Sequence, residues 1–473
     1  TAIGTMAGYS HVTGSVNTFL GRYAGYSNVS GSYNSYLGKD AGYSYVGTGN
    51  GFNTFVGNEA SYNQTTGVQN TIVGNYAGNN TSYGDNNVIM GYSAAGYYSG
   101  GYALSNVTAI GARSLQFNQA SSITAVGMQA LYSNTTGIQT TAVGYQTMYS
   151  NTIGNYGTAF GYQALYNNTT GEYNTAIGFQ TLVNNTTGIR NTAVGGISLF
   201  SNTVGSYNTG LGFYALYYNT SGSNNTAVGY SALVTNTYGQ YNTGLGFYSL
   251  TANTTGDRNT AVGYQALGAN TTGASNTGVG YNALQSNVVG IQNTAIGNSA
   301  LNAATNSNNT AIGESAGGNL TTGTWNIFVG KDAGRDAVAN ITTQSNYVVM
   351  GTNGITNANI KVSWTVTSDA RDKIVLGGVP IGLDFINALN PVKYQFKKSR
   401  ANDAPHGPVR YGFLAQEMLP LEGEEKIIIN AEDPENLKYN DAYMTPVLVK
   451  AIQELSEQNK ELLRRIEQLE STK

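Results

Sequence analysis

Thr260-Ala261-Val262-Gly263-Tyr264-Gln265-Ala266-Leu267, followed by Gly268-Ala269-Asn270-Thr271-Thr272-Gly273-Ala274-Ser275-Asn276, is one unit of a phrase that recurs along most of the chain. Its Thr-Ala-Val-Gly opening, or a close variant, begins at 1, 18, 35, 54, 71, 88, 108 and 124. Eleven consecutive starts from Thr124 to Thr294 keep an interval of 17, and further copies begin at 310 and 327. A degenerate copy follows at Val348-Val349-Met350-Gly351. Periods of this kind mark solenoids and arrays.

Counting slots from the Thr, slot four is Gly in all twenty copies, from Gly4 through Gly161 to Gly330. A position that never carries a Cβ implies positive φ or a close backbone approach. Asn-Thr-Thr-Gly, as at Asn168 to Gly171, is turn chemistry. Two strands of about four residues joined by turns fit such a unit, and a helix does not. The slot before the Thr is Asn at 15 of 19 places, including Asn17, Asn191 and Asn276. Stacked one coil apart, these amides are expected to form a ladder; a turn role is the competing reading.

Sizes at two slots are exchanged between blocks. From Thr108 to Thr294, slot two is small (Ala109, Ala227, Gly244) and slot eight large (Leu115, Leu233, Leu250). In six other copies slot two is large (Phe19, Tyr36, Phe55, Ile72, Ile89, Phe328) and slot eight small (Gly25, Gly42, Ser61, Gly78, Ala95, Gly334). Volume-conserving exchange is what a close-packed interior tolerates, so the two slots are expected to share one core space. Coils about 4.8 Å apart would make a shaft on the order of 95 Å. A coil this thin has a small core, which association would supplement.

Composition divides the 473 residues in two. All seven prolines, 14 of 22 Lys/Arg and 17 of 25 Asp/Glu lie in the 106 residues from Ser368 onward. The expected organisation is therefore a repeat shaft over 1–336, a connector over 337–367 and a distinct domain over 368–473 closing in a helix over about 443–471. The alternation in Lys361-Val362-Ser363-Trp364-Thr365-Val366-Thr367 suggests a strand.

The absence of Cys excludes disulfides, thiolate metal sites and a thiol nucleophile. With only His11 and His406, no His-based metal site forms within one chain; no metal and no cofactor are expected. A net charge of −3 carries no nucleic-acid footprint. No run of 18 apolar residues exists, so no membrane insertion is expected. The chain opens at Thr1 without a signal peptide, and is expected to continue a longer polypeptide.

The repeat units resemble the Asn-Ser-Val-Ala-Ile-Gly repeats of trimeric autotransporter adhesin heads, which are left-handed parallel β-rolls. They are still more similar to the Asn-Thr-Ala-Val-Gly-Tyr arrays of phage and bacterial tail fibres. The C-terminal domain resembles the intramolecular chaperone of phage tail spikes and fibres, the self-cleaving endosialidase type that myelin regulatory factor also carries. The matching pieces are Ser-Asp-x-Arg-x-Lys at 368–373 and Ile386-Asn387-Ala388-Leu389-Asn390-Pro391-Val392-Lys393-Tyr394. They continue with Tyr411-Gly412-Phe413-Leu414-Ala415-Gln416-Glu417 and Leu437-Lys438-Tyr439-Asn440. The resemblance implies a mainly β fold: a trimeric β-solenoid or β-roll shaft with an α+β chaperone domain ending in a coiled-coil helix. It implies Ser368 as nucleophile, Lys373 as its base, and a scissile bond between Thr367 and Ser368. A Ser hydroxyl needs an adjacent base, and a Lys serves once burial favours its neutral form. The bland alternative is that Ser368 is a helix N-cap and Lys373 a solvated charge.

Leu448, Ile452, Leu455, Asn459, Leu462, Ile466 and Leu469 alternate spacings of 4 and 3, a heptad seam with one polar a position. Glu454, Glu457, Lys460, Glu461, Arg464, Arg465 and Glu467 flank it as exposed charges. Association is favoured over a lone helix packed on its own domain. Shaft carboxylates are scattered, with Asp332 and Asp336 the only close pair in sequence, so no glycan-cleaving pair is expected. The recurring Gly38-Lys39-Asp40-Ala41-Gly42 reads as a repeat variant, and the slot-five row of Tyr145, Tyr162, Tyr230, Tyr264 and Tyr281 as core or subunit interface.

The functional expectation is a structural phage tail fibre on the virion, assembled and folded as a homotrimer by its chaperone. Its partners would be itself, an upstream virion-attachment segment and a host-surface receptor, a glycan being one class. Any enzymatic activity would be a Ser-Lys cut in cis, not action on external substrates. The alternative is a bacterial surface adhesin or extracellular filament built from the same parts.

Overall fold

In a computed structural model of the chain, the described residues are 1–80, 84–97, 103–336, 339–352, 355, 368–400, 402–431, 434 and 437–472. The strand expected over Lys361–Thr367 lies outside them. Two compact units separate, one comprising Thr1–Arg335 with Ile341–Met350 and the other extending to the C-terminus.

The first unit is a β-solenoid. One parallel sheet of 21 strands runs through it, nearly all of three residues. Each strand pairs with its equivalent one repeat later: Thr124 with Thr141, Ala125 with Ala142, Val126 with Val143. The degenerate copy is a rung too, Ile327–Val329 pairing with Val348–Met350.

Among the described residues, the expected second strand per coil is found only where Ser30–Ser32 pairs with Thr48–Asn50. Elsewhere the rest of the coil is turn. The reason is local: slots six, eight and sixteen adopt left-handed backbone, as at Gln163 (φ 53°), Leu165 (φ 53°) and Tyr173 (φ 56°). Such residues interrupt an extended run. They are held by hydrogen bonds between coils, Leu165 N–H donating to Thr181 O at 2.9 Å and Gln163 N–H to Tyr145 O at 3.0 Å.

The glycines of slot four combine both constraints inferred for them. Their φ lies between 113° and 140°. A Cβ at Gly212 would sit 2.6 Å from the Gly229 carbonyl oxygen of the next coil. No side chain fits there.

Slots two and eight do share the core. Ala227, Leu233, Phe55 and Phe328 are fully buried. In the middle block, a Cβ on Gly244 would touch Leu233 Cγ at 3.4 Å. In the first block, a Cβ on Gly42 would meet the rings of Tyr36 and Phe55 at 2.9 and 3.0 Å. One volume is filled from opposite ends of the coil, and the rings themselves stack, Tyr36 on Phe55 at 4.7 Å.

Asn supplies the polar half of the interior. At slot seventeen, the buried amide oxygen accepts the backbone N–H of the residue at the same slot one coil on, as from Asn208 N–H to Asn191 Oδ1 at 3.0 Å. Its Nδ2 donates onward to a glycine carbonyl, Asn208 to Gly222 O at 2.8 Å. Direct amide-to-amide rungs also occur there, as from Asn225 to Asn208 at 3.2 Å. The tighter amide ladder is at slot eleven, in the Asn of Asn-Thr-Thr-Gly. Asn202 Nδ2 donates to Asn185 Oδ1 at 2.8 Å, and Asn219 Nδ2 to Asn202 Oδ1 at 2.8 Å. The ladder runs from Asn118 to Asn287, each member buried. These residues are turn and ladder at once.

The second unit is α+β. An antiparallel hairpin pairs Val392–Ser399 with Asn402–Gly412. A short pair joins Ile429–Asn430 to Lys438–Tyr439. Helices α1 (Leu383–Ala388), α2 (Ala415–Met418) and α3 (Met444–Ser471) complete it. Its core is Phe385, Met418, Ile428, Ile429, Met444 and Val447. Among the described residues no helix is long and apolar enough to cross a membrane.

Candidate self-cleavage site

Ser368 is the first described residue of the domain expected over 368–473. A turn of 3-10 helix, Ala370–Asp372, follows. Its N-cap is Asp369, whose carboxylate accepts from Arg371 N–H at 2.9 Å. The capping role considered for Ser368 therefore belongs to its neighbour. The Arg371 guanidinium also bonds Asp369 at 3.0 Å and holds that carboxyl below its ordinary range.

The Ser368 hydroxyl is left for another partner. Lys373 Nζ donates to Ser368 Oγ, five residues away across the turn. Both side chains are exposed on the single chain. Thr367, the other half of the expected scissile bond, lies outside the described residues. Next to Lys373, Ile374, Val375 and Leu376 are each more than 85% exposed.

Residues 368–422 match the family of the chaperone of endosialidase. The chain thus carries an endosialidase-type chaperone segment behind a β-solenoid of about twenty coils. The matched range begins at Ser368 and takes in α1, the hairpin and α2; residues 423–473 lie beyond it. No curated protein and no solved structure matches the chain.

Two carboxylates of this unit have roles that were not legible in the sequence. Glu422 is buried and accepts Ile428 N–H and Ile429 N–H, each at 2.7 Å. Glu454, counted among the flanking charges of the seam, accepts Leu383 N–H at 2.7 Å and so caps α1. That bond, with Lys450 beside it, holds the Glu454 carboxyl below its ordinary range. Each is a single copy, so no periodicity announces it.

Helix α3 presents two faces. Met444, Val447 and Ala451 are buried in the unit. Leu448, Ile452, Leu455, Leu462, Ile466 and Leu469 are exposed, and Asn459 with them. Packing on its own unit accounts for the first face and leaves the seam uncovered.

In the shaft, the slot-five aromatics are not core. Tyr145, Tyr162, Phe179, Tyr264 and Tyr281 are 40–54% exposed and stack face to face along the axis. Period set their stacking, but the side they face depends on the phase of the coil. Lys39 bridges Asp40 at 3.1 Å and Glu59 at 3.7 Å, two slot-six carboxylates from successive coils. These two carboxylates are close across successive coils, but with an ammonium between them. Among the described residues no group of three metal-ligating side chains forms.

Proposed function

We propose that the chain is a structural fibre protein of a phage tail, reaching toward a host surface. Three copies assemble through their C-terminal helices, the chaperone segment directs folding of the shaft, and the segment then cuts itself off between Thr367 and Ser368. The observation that carries the reading is the match beginning at Ser368, in a chain where Lys373 reaches that hydroxyl.

The chemistry is balanced without an outside cofactor. Lys373, once neutral, takes the Ser368 hydroxyl proton as Oγ attacks the Thr367 carbonyl carbon. The acyl group passes from the Ser368 nitrogen to its own oxygen, freeing an amine. Water then hydrolyses the ester, leaving a Thr367 carboxylate and a new N-terminus at Ser368. A neutral Lys requires burial, and on the single chain both groups are exposed. Neighbouring copies would supply that burial, which makes the cut a late step.

The test is intact mass of the assembled wild type beside Ser368→Ala and Lys373→Ala. The expected result is two pieces from the wild type, parted at 367/368, and one full-length chain from each variant. A wild type that stays whole after assembly would make the segment a permanent cap.

A further inference from the structure

From Thr18–Leu20 to Ile327–Val329 the solenoid strands turn slot two inward and slots one and three outward. Slot three is apolar in every one of the 21 rungs, from Ile3 to Met350. None of these side chains is buried on the single chain. Leu37, Phe160, Ile177, Leu245, Ile296 and Ile312 are 41–45% exposed. The stacked slot-five aromatics come after the strands, in the turn past the slot-four glycine, and are exposed as well. Soluble monomers rarely expose apolar patches beyond a few hundred Å².

Charge is sorted the same way. Between Thr124 and Asn309 the charged residues are Glu172, Arg190, Asp257 and Arg258. All four fall at slots fifteen and sixteen, and none on slots one, three or five. Depletion of charge and enrichment in aromatics distinguish the centre of an interface from its rim. Slot sixteen makes the contrast, mixing Gln139, Tyr156, Arg190, Asn224 and Ser275.

We infer that the slot-three stripe is the face by which the shaft packs on another copy of itself, parallel and in register. The occupant must present apolar side chains at the same axial spacing over the whole length, which a second solenoid of this sequence does. Copies joined through their terminal helices run parallel, so each slot-three side chain meets its equivalent across the interface. The slot-three row alone offers on the order of 1,000 Å² per chain, enough for a stable specific interface. A platform for sugars fits less well, because each ring face in the ladders is already covered by the next ring.

The inference rests on the proposed self-association and adds which face carries it. The chain has no Cys, so single cysteines report cleanly. Leu245→Cys and Ile296→Cys probe the stripe; Val204→Cys, an exposed position at slot thirteen, is the control. The expected result is same-position cross-linking by a short bis-maleimide at 245 and 296, not at 204. Reaction of the two stripe thiols with a bulky maleimide should also be at least tenfold slower than that of the control. An oligomer by light scattering that cross-links only at 204, or at no position, overturns this face and leaves self-association standing. A monomer by light scattering overturns both.

Discussion

The shaft and the C-terminal unit solve the same problem, burial of polar groups, in opposite ways. In the middle of the shaft most buried polar side chains are neutral Asn amides, bonded from coil to coil, as Asn202 is to Asn185 and Asn219. In the C-terminal unit single carboxylates do the work: the buried Glu422 holds two backbone N–H groups, and the partly exposed Glu454 caps α1. Repetition spreads stability over near-identical neighbour terms, whereas a unique cap concentrates it. The shaft is therefore expected to fail coil by coil and the C-terminal unit all at once.

The largest effect should come from the shaft's backbone. Gly212→Ala forces a Cβ to within 2.6 Å of the Gly229 carbonyl at a φ of 134°. Local opening energy should fall by about 4 kcal/mol, the range of severe strain. Hydrogen exchange should show the loss in the coils around residue 212 and leave remote coils protected. Uniform loss along the shaft would break the contrast.

An intermediate pair sets one region against the other. Asn202→Ala and Glu422→Ala each strand buried polar groups at a cost of about 1–3 kcal/mol. Thermal melts should shift the whole C-terminal transition for Glu422→Ala. For Asn202→Ala, exchange should quicken only near the missing rung.

The smallest effect is one of pH. Glu454 in the folded unit titrates below its ordinary 4.5, through the Leu383 N–H and Lys450. Its contribution is complete above that value and is lost as pH falls through the lowered one. The difference in Tm between wild type and Glu454→Gln should be widest near neutrality and close below pH 4.5. Unfolding of Ala-and-Leu coils in the middle block, whose ladders carry no titratable group, should not follow this profile.

What was legible in the sequence was what sterics write into residue identity. Gly at slot four and the Phe-for-Leu exchange between slots two and eight each name a volume, and the structure fills it as read. The slot-eleven ladder was hidden because Asn168 serves a turn and a ladder with the same side chain. Left-handed Leu165 left no mark at all, since Leu has no preference for that backbone and is held there by bonds to the next coil. Ser368 and Lys373 stood out through their motif, but Asp369 as the cap that leaves the hydroxyl available required the turn itself. Glu422 stands beside Glu424 and Glu425, and nothing in the sequence sets it apart from them.

Native mass spectrometry of the uncut Ser368→Ala chain tests the central claim most directly, because it reads assembly without the confounding cut. The account predicts a particle of three times 49.8 kDa, parallel and resistant to dilution. A particle of 49.8 kDa with a folded shaft would contradict it, leaving a self-sufficient solenoid whose apolar stripe and helical seam face water.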